Sequence, residues 1–318
     1  MRVLVILNQA AGTLAAAASP PGDKSRRIHD GFAAAGIDAE VRDVAGAELE
    51  AVARGAAAEG FDAVVAGGGD GTLNTIANAL AGGPVAFGVL PLGTHNHFAK
   101  ELGVPLELDA AVTALARGNV EDLDVGEVNG RIFLNFSGLG LHPMLVKHRD
   151  AQRDVLGRRK FVAMFFAIFS VLRRLPVRRV RLRFGETVIR RTTPSVIVCN
   201  NPLQMKLFGV ESVSTSDRGV LNVYLARATK WYGVVWLILR AAFRTLDSAK
   251  KFEAIALREC SLETRHRTAR VSVDGEVTDM PTPLHYRVRR GGLKVIRPMS
   301  VATEPGFVPV TEETPTRQ

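Results

Sequence analysis

The chain has 318 residues, 47% hydrophobic and 23% charged, an ordinary globular composition whose length suits two domains better than one. Its only cysteines, Cys199 and Cys260, are 61 positions apart, which excludes a disulfide framework and a zinc knuckle and fits a reducing compartment. The net charge of +9 divides unevenly: residues 1–127 hold 8 Lys/Arg and 17 Asp/Glu, a net of −9, and residues 128–318 hold 33 and 15, a net of +18. The basic half therefore expects a polyanionic partner: membrane surface, nucleic acid or phosphorylated ligand.

Residues 2–7 form a continuous apolar run, as expected of a strand buried on both faces and too short for a signal segment. The Ala/Gly/Ser/Pro-rich stretch 8–22 reads as a loop. The spacing predicts helices over 24–35, 47–60 and 72–80 and strands over 37–44, 63–66 and 85–90. This alternation predicts a doubly wound, mostly parallel α/β domain. Beyond about residue 125 the pattern changes to strands at 131–136, 178–184, 195–199, 220–226, 270–273 and 285–288, with helices only at 156–175 and 230–246. That pattern predicts a C-terminal antiparallel β-sandwich. The expected organisation is residues 1–127 as a nucleotide-binding domain and 128–298 as an acceptor domain. Its last strand, 293–296, returns to the first domain, and a proline-bearing tail, 299–318, is without order.

The strongest motif is Gly67-Gly68-Gly69-Asp70-Gly71-Thr72-Leu73-Asn74, between a buried strand and a helix. Consecutive glycines let backbone N–H groups approach a ligand, and the helix N-terminus adds partial positive charge, which together make a phosphate site. Asp70 among those amides calls for a bridging cation, with Mg²⁺ the natural choice; the plainer alternative makes Asp70 a helix N-cap. The spacing matches neither the P-loop nor the Gly-x-Gly-x-x-Gly fingerprint. A second motif, Gly93-Thr94-His95-Asn96-His97-Phe98-Ala99, also follows a strand and so shares the carboxyl edge of the sheet, where open α/β folds bind ligands. A third, Val273-Asp274-Gly275-Glu276, presents two carboxylates across a tight bend. It reads either as a general-base pair or as a plain hairpin turn.

Together these segments, with Leu123-Asp124-Val125-Gly126, resemble the diacylglycerol kinase catalytic family, in its bacterial soluble lipid kinase and sphingosine kinase-like branch. The resemblance implies transfer of the γ-phosphoryl group of ATP to a lipid hydroxyl, with Mg²⁺. It implies nucleotide contacts from Asn8, Ala10, Ala11, Gly12, Gly69, Asp70, Gly71, Thr72, Leu73, Asn74, Thr75 and Thr94. Glu276 would take the proton from the hydroxyl, Asp274 would support it, and Asp70 and Asp124 would belong to a metal–water network. The chain departs from the family pattern at Gln9, Thr13, Thr75, His97 and Asn222 and in the turn Asp217-Arg218-Gly219. Because Asp70, Asp124 and Glu276 remain, it reads as a variant subgroup.

The basic residues crowd around two apolar runs, 161–172 and 231–239. Each is shorter than the roughly 20 residues of a spanning helix. Apolar bodies with basic ends suit an anionic membrane interface or a core-packed helix. The expectation is a cytoplasmic lipid kinase, peripheral at the inner membrane face, with no nucleic-acid partner and compatible with a homodimer. The alternatives are an NAD kinase-like phosphotransferase on a soluble acceptor and a non-catalytic nucleotide- or lipid-binding relative.

Overall fold

The computed structural model describes residues 1–9, 22–94, 96–141, 178–200, 219–227 and 252–299. The first part runs β1 (Arg2–Asn8), α1 (Asp23–Ala34), β2 (Asp38–Val44), α2 (Leu49–Gly55), β3 (Ala63–Gly67), α3 (Asp70–Leu80), β4 (Ala86–Leu90), α4 (His97–Leu102) and α5 (Leu108–Ala116). Strands β5 (Asn119–Val128), β6 (Arg131–Phe133), β7 (Phe136–Gly140), β8 (Arg178–Phe184), β9 (Thr187–Thr193) and β10 (Ser195–Cys199) follow. The chain continues with β11 (Leu221–Ala226), β12 (Phe252–Leu257), β13 (Glu259–Thr264), β14 (Thr268–Val273), β15 (Glu276–Pro281) and β16 (Leu284–Arg297).

The first four strands lie in the order β2-β1-β3-β4, all parallel. Val3 to Ile6 and Val64 to Ala66 are fully buried, as continuous apolar strands covered on both faces must be. The chain leaves β1 in one direction for β2, then crosses back over β1 to reach β3. Right-handed crossovers therefore put α1 on one face and α2 and α3 on the other, and accordingly α1 packs on α5 and α2 on α3. This reversal makes a topological switch point between β1 and β3, and the crevice outside their carboxyl ends is where such sheets bind ligands.

The C-terminal part is antiparallel. Six strands form a sheet in the order β12-β11-β10-β7-β14-β15. It packs over β5, β6, β8, β13 and β16 around a shared core that includes Val128, Phe133, Leu139, Val198, Val223, Leu262, Val271 and Tyr286. The two parts share one ten-stranded sheet. Strand β16 pairs antiparallel with β13 through Leu284–Arg287 and parallel with β4 at Val295↔Phe87, while β5 runs along most of its length.

The sequence expectation and the structure differ locally. Residues 285–288 and 293–296 belong to one strand, β16, carried past a bulge between Arg289 and Leu293. The strand expected at 131–136 breaks at Leu134 and Asn135, whose N–H groups turn to the Asp274 carboxylate. Helix α3 starts at Asp70, two residues early, with Gly69 as its N-cap. Helices α4 and α5 and strands β5, β9, β12, β13 and β15 were not among the expected elements, although α5 carries helical apolar spacing at Leu108, Ala111, Val112 and Leu115. The helices expected at 156–175 and 230–246, and residues 300–318 of the tail, lie outside the described residues.

At the β7 exit, Gly140 has φ 93°, and a Cβ there would overlap the carbonyl oxygen of Pro194. Gly140→Ala is expected to lower stability by about 2 kcal/mol or more, because the backbone cannot yield as a side chain does. An unchanged urea midpoint would contradict this reading.

Candidate active site

The site begins at the switch point. Strand β3 ends at Gly67, and the glycine loop turns directly into α3, whose first-turn N–H groups have no intrahelical partner. Gly69 is extended (φ −86°, ψ 177°) and offers no capping side chain. Asp70 is therefore not the N-cap. It sits in the first turn, and its Oδ1 is buried with no hydrogen-bond partner among the described residues. A lone buried carboxylate oxygen beside open helix amides fits a cation bridging to phosphate. Among the described residues no cluster of three or more His, Cys, Asp or Glu side chains gathers around it. Such an ion would be held by Asp70, water and phosphate oxygens, in the way Mg²⁺ is commonly held.

The second loop presses against the first. A Cβ on Gly93 would stand 2.7 Å from the Gly69 Cα and 3.2 Å from the Gly68 carbonyl oxygen. Glycine is thus required by contact between two backbones. Asn96, left-handed at φ 51°, fixes this loop: its Oδ1 accepts from Gly93 N–H at 2.9 Å and its Nδ2 donates to Pro91 O at 3.1 Å. Thr94 is exposed beside it, and His97 is exposed at the start of α4. From β1, Asn8 Nδ2 donates to Thr72 Oγ1 at 2.7 Å, which ties the ends of the two switch-point elements.

Asp274 occupies the turn between β14 and β15, left-handed at φ 47°. Its Oδ2 accepts from Asn74 Nδ2 at 2.6 Å and from Leu134 N–H at 2.7 Å. Its Oδ1 accepts from the N–H groups of Asn135 at 2.9 Å and Phe136 at 3.0 Å. All four lone-pair positions of this carboxylate are filled. Burial pushes Asp274 up to about 6, although each of these four hydrogen bonds pulls it down. Glu276, two residues on, is over half exposed and pairs with Arg131 at 2.5 Å. One helical turn beyond Asn74, Asn78 makes a two-way bond with Ile132 of β6: its Nδ2 donates to the carbonyl at 3.1 Å and its Oδ1 accepts from the N–H at 2.9 Å.

The structure thus pairs Asn8 with Thr72 and Asn74 with Asp274 by hydrogen bonds to α3, and Gly69, Asp70, Gly71 and Thr94 lie on the two loops that touch at Gly69 and Gly93. Leu73 turns its side chain into the core, so only its backbone can face a ligand. The Thr75 hydroxyl bonds back to the Gly71 carbonyl. Asp124 Oδ1 accepts from Gly291 N–H at the β16 bulge, and its carbonyl accepts from Nδ2 of Asn200, whose own N–H donates to the carbonyl of Asn135 beside Asp274. Ala10, Ala11, Gly12, Thr13 and His95 lie outside the described residues. Sequence reasoning missed Asn78 and Arg131. The available signal was the i, i+4 pair Asn74 and Asn78, two amides on one helix face.

The architecture is a parallel α/β part joined to an antiparallel part, with the glycine-loop helix bonded to a carboxylate turn. Residues 2–128 match the family described as diacylglycerol kinase catalytic domain. A Pseudomonas aeruginosa relative, named probable lipid kinase YegS-like, is 48% identical over 110 residues, 34% of this chain and 36% of its own. A relative from Staphylococcus carnosus is 25% identical over 234 residues, 72% of this chain and 74% of its own. The fold is that of a Bacillus anthracis structure described as a diacylglycerol kinase, with a TM-score of 0.66 at 19% identity, covering 93% of this chain and 96% of that one.

Two outcomes are expected. Asn74→Ala removes a charge-assisted bond from a buried carboxylate and should lower stability by about 1–3 kcal/mol in urea melts; a change within about 0.5 kcal/mol would contradict the bond's role. The pH response of Asp274 has a definite sign. Its folded value, about 6, lies above its ordinary value of about 3.9, so the folded state holds the proton more tightly and Asp274's contribution to stability falls as pH rises through that window. The melting temperature of wild type relative to Asp274→Asn should be higher at pH 4 than at pH 7, and the opposite slope would contradict the assignment.

Proposed function

We propose that the chain is an ATP-dependent lipid kinase that transfers the γ-phosphoryl group to a lipid hydroxyl at a membrane surface. One observation carries the reading. The Asn74–Asp274 bond, spanning 200 residues of sequence, brings the glycine-loop helix and the Asp-Gly-Glu turn to one seam. Phosphoryl transfer consists mainly of positioning and charge stabilisation, and a seam between a phosphate loop and a carboxylate turn meets both needs.

In this reading the amides of the glycine loop and the first turn of α3 cradle the phosphates. Mg²⁺, when bound, neutralises charge between the Asp70 carboxylate and the phosphate oxygens. Asp274 has no free lone pair, so it positions the turn and does not accept the substrate proton. Glu276 is exposed and oriented by Arg131. It takes the proton as the acceptor oxygen bonds to the γ-phosphorus, the bond to the bridging oxygen breaks and ADP leaves. Asp124, whose Oδ1 accepts from Gly291 N–H, keeps its other carboxylate oxygen for a metal-bound water.

Membrane action is supported by charge placement. Arg179, Arg181, Arg190, Arg191 and Arg265 line a groove of about 1040 Å³ beside β8 and β9. Glu263 and Glu253 offset part of this charge. The basic-flanked apolar runs lie outside the described residues, and no described helix is long and apolar enough to cross a membrane.

The test incubates the full chain with γ-labelled ATP, Mg²⁺ and mixed micelles of diacylglycerol, sphingoid and other glycerolipid acceptors. Label is expected in lipid, and no label in any class would overturn the reading. Glu276→Gln should reduce transfer at least about 100-fold with ATP binding intact. Retained turnover would remove Glu276 from the base role.

A further inference from the structure

The antiparallel end of the ten-stranded sheet carries a concentration of arginine on its outer face. Val180 and Leu182 point into the sandwich core, so the alternate residues Arg179, Arg181 and Arg183 of β8 stand on the opposite face. On β9, Thr192 lies opposite Arg179 and Arg190 opposite Arg181; on β13, Glu263 lies at the other side of Arg181. Arg181 and Arg190 are therefore direct cross-strand neighbours of like charge, an arrangement that is destabilising by itself. The nearby carboxylates leave most of the charge standing. Glu263 is shared between Arg181 at 3.2 Å and Arg183 at 3.7 Å, and Glu253 is taken by Nε and Nη2 of Arg191, both at 2.8 Å. Arg179, Arg190 and Arg265 have no acidic partner among the described residues.

These arginines line the groove of about 1040 Å³ beside β8 and β9, closed on its far side by Thr264 and Arg265 where β13 turns toward β14. That turn is fixed, because the His266 carbonyl accepts from the hydroxyls of Thr264 at 3.1 Å and Thr282 at 2.6 Å. Guanidinium forks match phosphate oxygens in pairs, and a phosphomonoester brings a charge of about −1.5 to −2 to relieve the repulsion between them. The groove has the volume of a small-molecule site, with space for the group that carries the phosphate. It is also separate from the transfer seam. Strand β14 runs Thr268–Val273, with Arg265 three residues before its start and Asp274 directly after its end, so about 20 Å of extended chain lies between them.

We propose that this groove is a second phosphate-binding site, which takes the phosphate group of a phosphomonoester on the guanidinium groups of Arg179, Arg190 and Arg265. The site stands apart from the lipid kinase reading: it lies at the end of β14 away from the carboxylate turn, and it holds neither the phosphates of the nucleotide nor the accepting hydroxyl. A phosphorylated lipid headgroup and a soluble phosphomonoester share this chemistry, and binding measurements distinguish the two sources.

The test uses the full chain, with ADP and Mg²⁺ present throughout to fill the glycine loop. One arm measures sedimentation with phosphatidylcholine vesicles with and without phosphatidic acid, a lipid phosphomonoester. The other is a calorimetric titration with glycerol 3-phosphate, its soluble counterpart. Wild type is compared with the double variant Arg179→Gln/Arg190→Gln and with the charge-matched control Arg54→Gln/Arg117→Gln, whose arginines are exposed in the α/β part. The groove variant should bind at least about tenfold more weakly than the control in one arm or both. Loss in both arms would show that the phosphate group alone suffices, loss with vesicles only would identify a headgroup, and loss with glycerol 3-phosphate only a soluble ligand. Each of these supports the site. No binding by wild type in either arm, or equal binding by the two variants in both, would overturn it. Without ligand, the groove variant should melt at or above the wild-type temperature, because the Arg181–Arg190 repulsion is relieved. A lowered melting temperature accompanying the loss would also overturn the site, as the mark of a structural role.

Discussion

The buried carboxylate of Asp274 sets the geometry on which the rest depends. An ionised group removed from water is strongly unfavourable unless its oxygens are satisfied. Here four donors satisfy them, and they come from two distant regions of the chain: Asn74 from α3, and the backbone of Leu134, Asn135 and Phe136 from the break between β6 and β7. None of the four can shift far without exposing a buried charge to an unpaired state. The helix that carries the glycine loop is thereby locked to the turn that carries Glu276. The two-way Asn78–Ile132 bond adds a second attachment one helical turn along.

The sheet provides a rigid frame for that lock. Strand β16 is 14 residues long and joins both regions, and β5 runs against it from Asn119↔Arg297 to Val128↔Tyr286. The bulge between Arg289 and Leu293 redirects β16 from the sandwich toward β4, and the Asp124 carboxylate secures it by accepting the Gly291 N–H. The crevice at the β1/β3 switch point is therefore part of one continuous hydrogen-bonded sheet, and the carboxylate turn, between β14 and β15 of the second sheet, is fixed to it through the Asp274 bonds and the shared core. A flexible connection between two bodies would leave the seam far less defined.

Much of this was legible in the sequence, and the reasons are specific. Parallel strands buried on both faces, such as 63–66, are continuous apolar runs and announce themselves. The glycine loop was legible because consecutive glycines followed by Asp70 have few other uses. What stayed hidden depends on long-range partners. Asp274-Gly275-Glu276 alone is a common hairpin turn, and nothing local marks Asn74, 200 residues earlier, as its partner. The break at Leu134 and Asn135 lies inside an apolar stretch that reads as one strand, because backbone N–H groups that serve a distant carboxylate leave no compositional trace. Strand β9, with Arg190, Arg191 and three threonines on a largely exposed surface, lacks the alternation that identifies half-buried strands. Asp124 was grouped with Asp70 through family resemblance, and its contact with the β16 bulge became visible only in three dimensions.

The central claim is that Asn74 and Asp274 act as one unit that assembles a phosphoryl-transfer seam. A double-mutant cycle on kcat/KM for lipid phosphorylation tests it most directly, with Asn74→Ala, Asp274→Ala and the pair combined. The account predicts strong non-additivity, the double variant losing no more than the worse single variant, because either change already releases the seam. Losses that multiply would show two independent residues and contradict it.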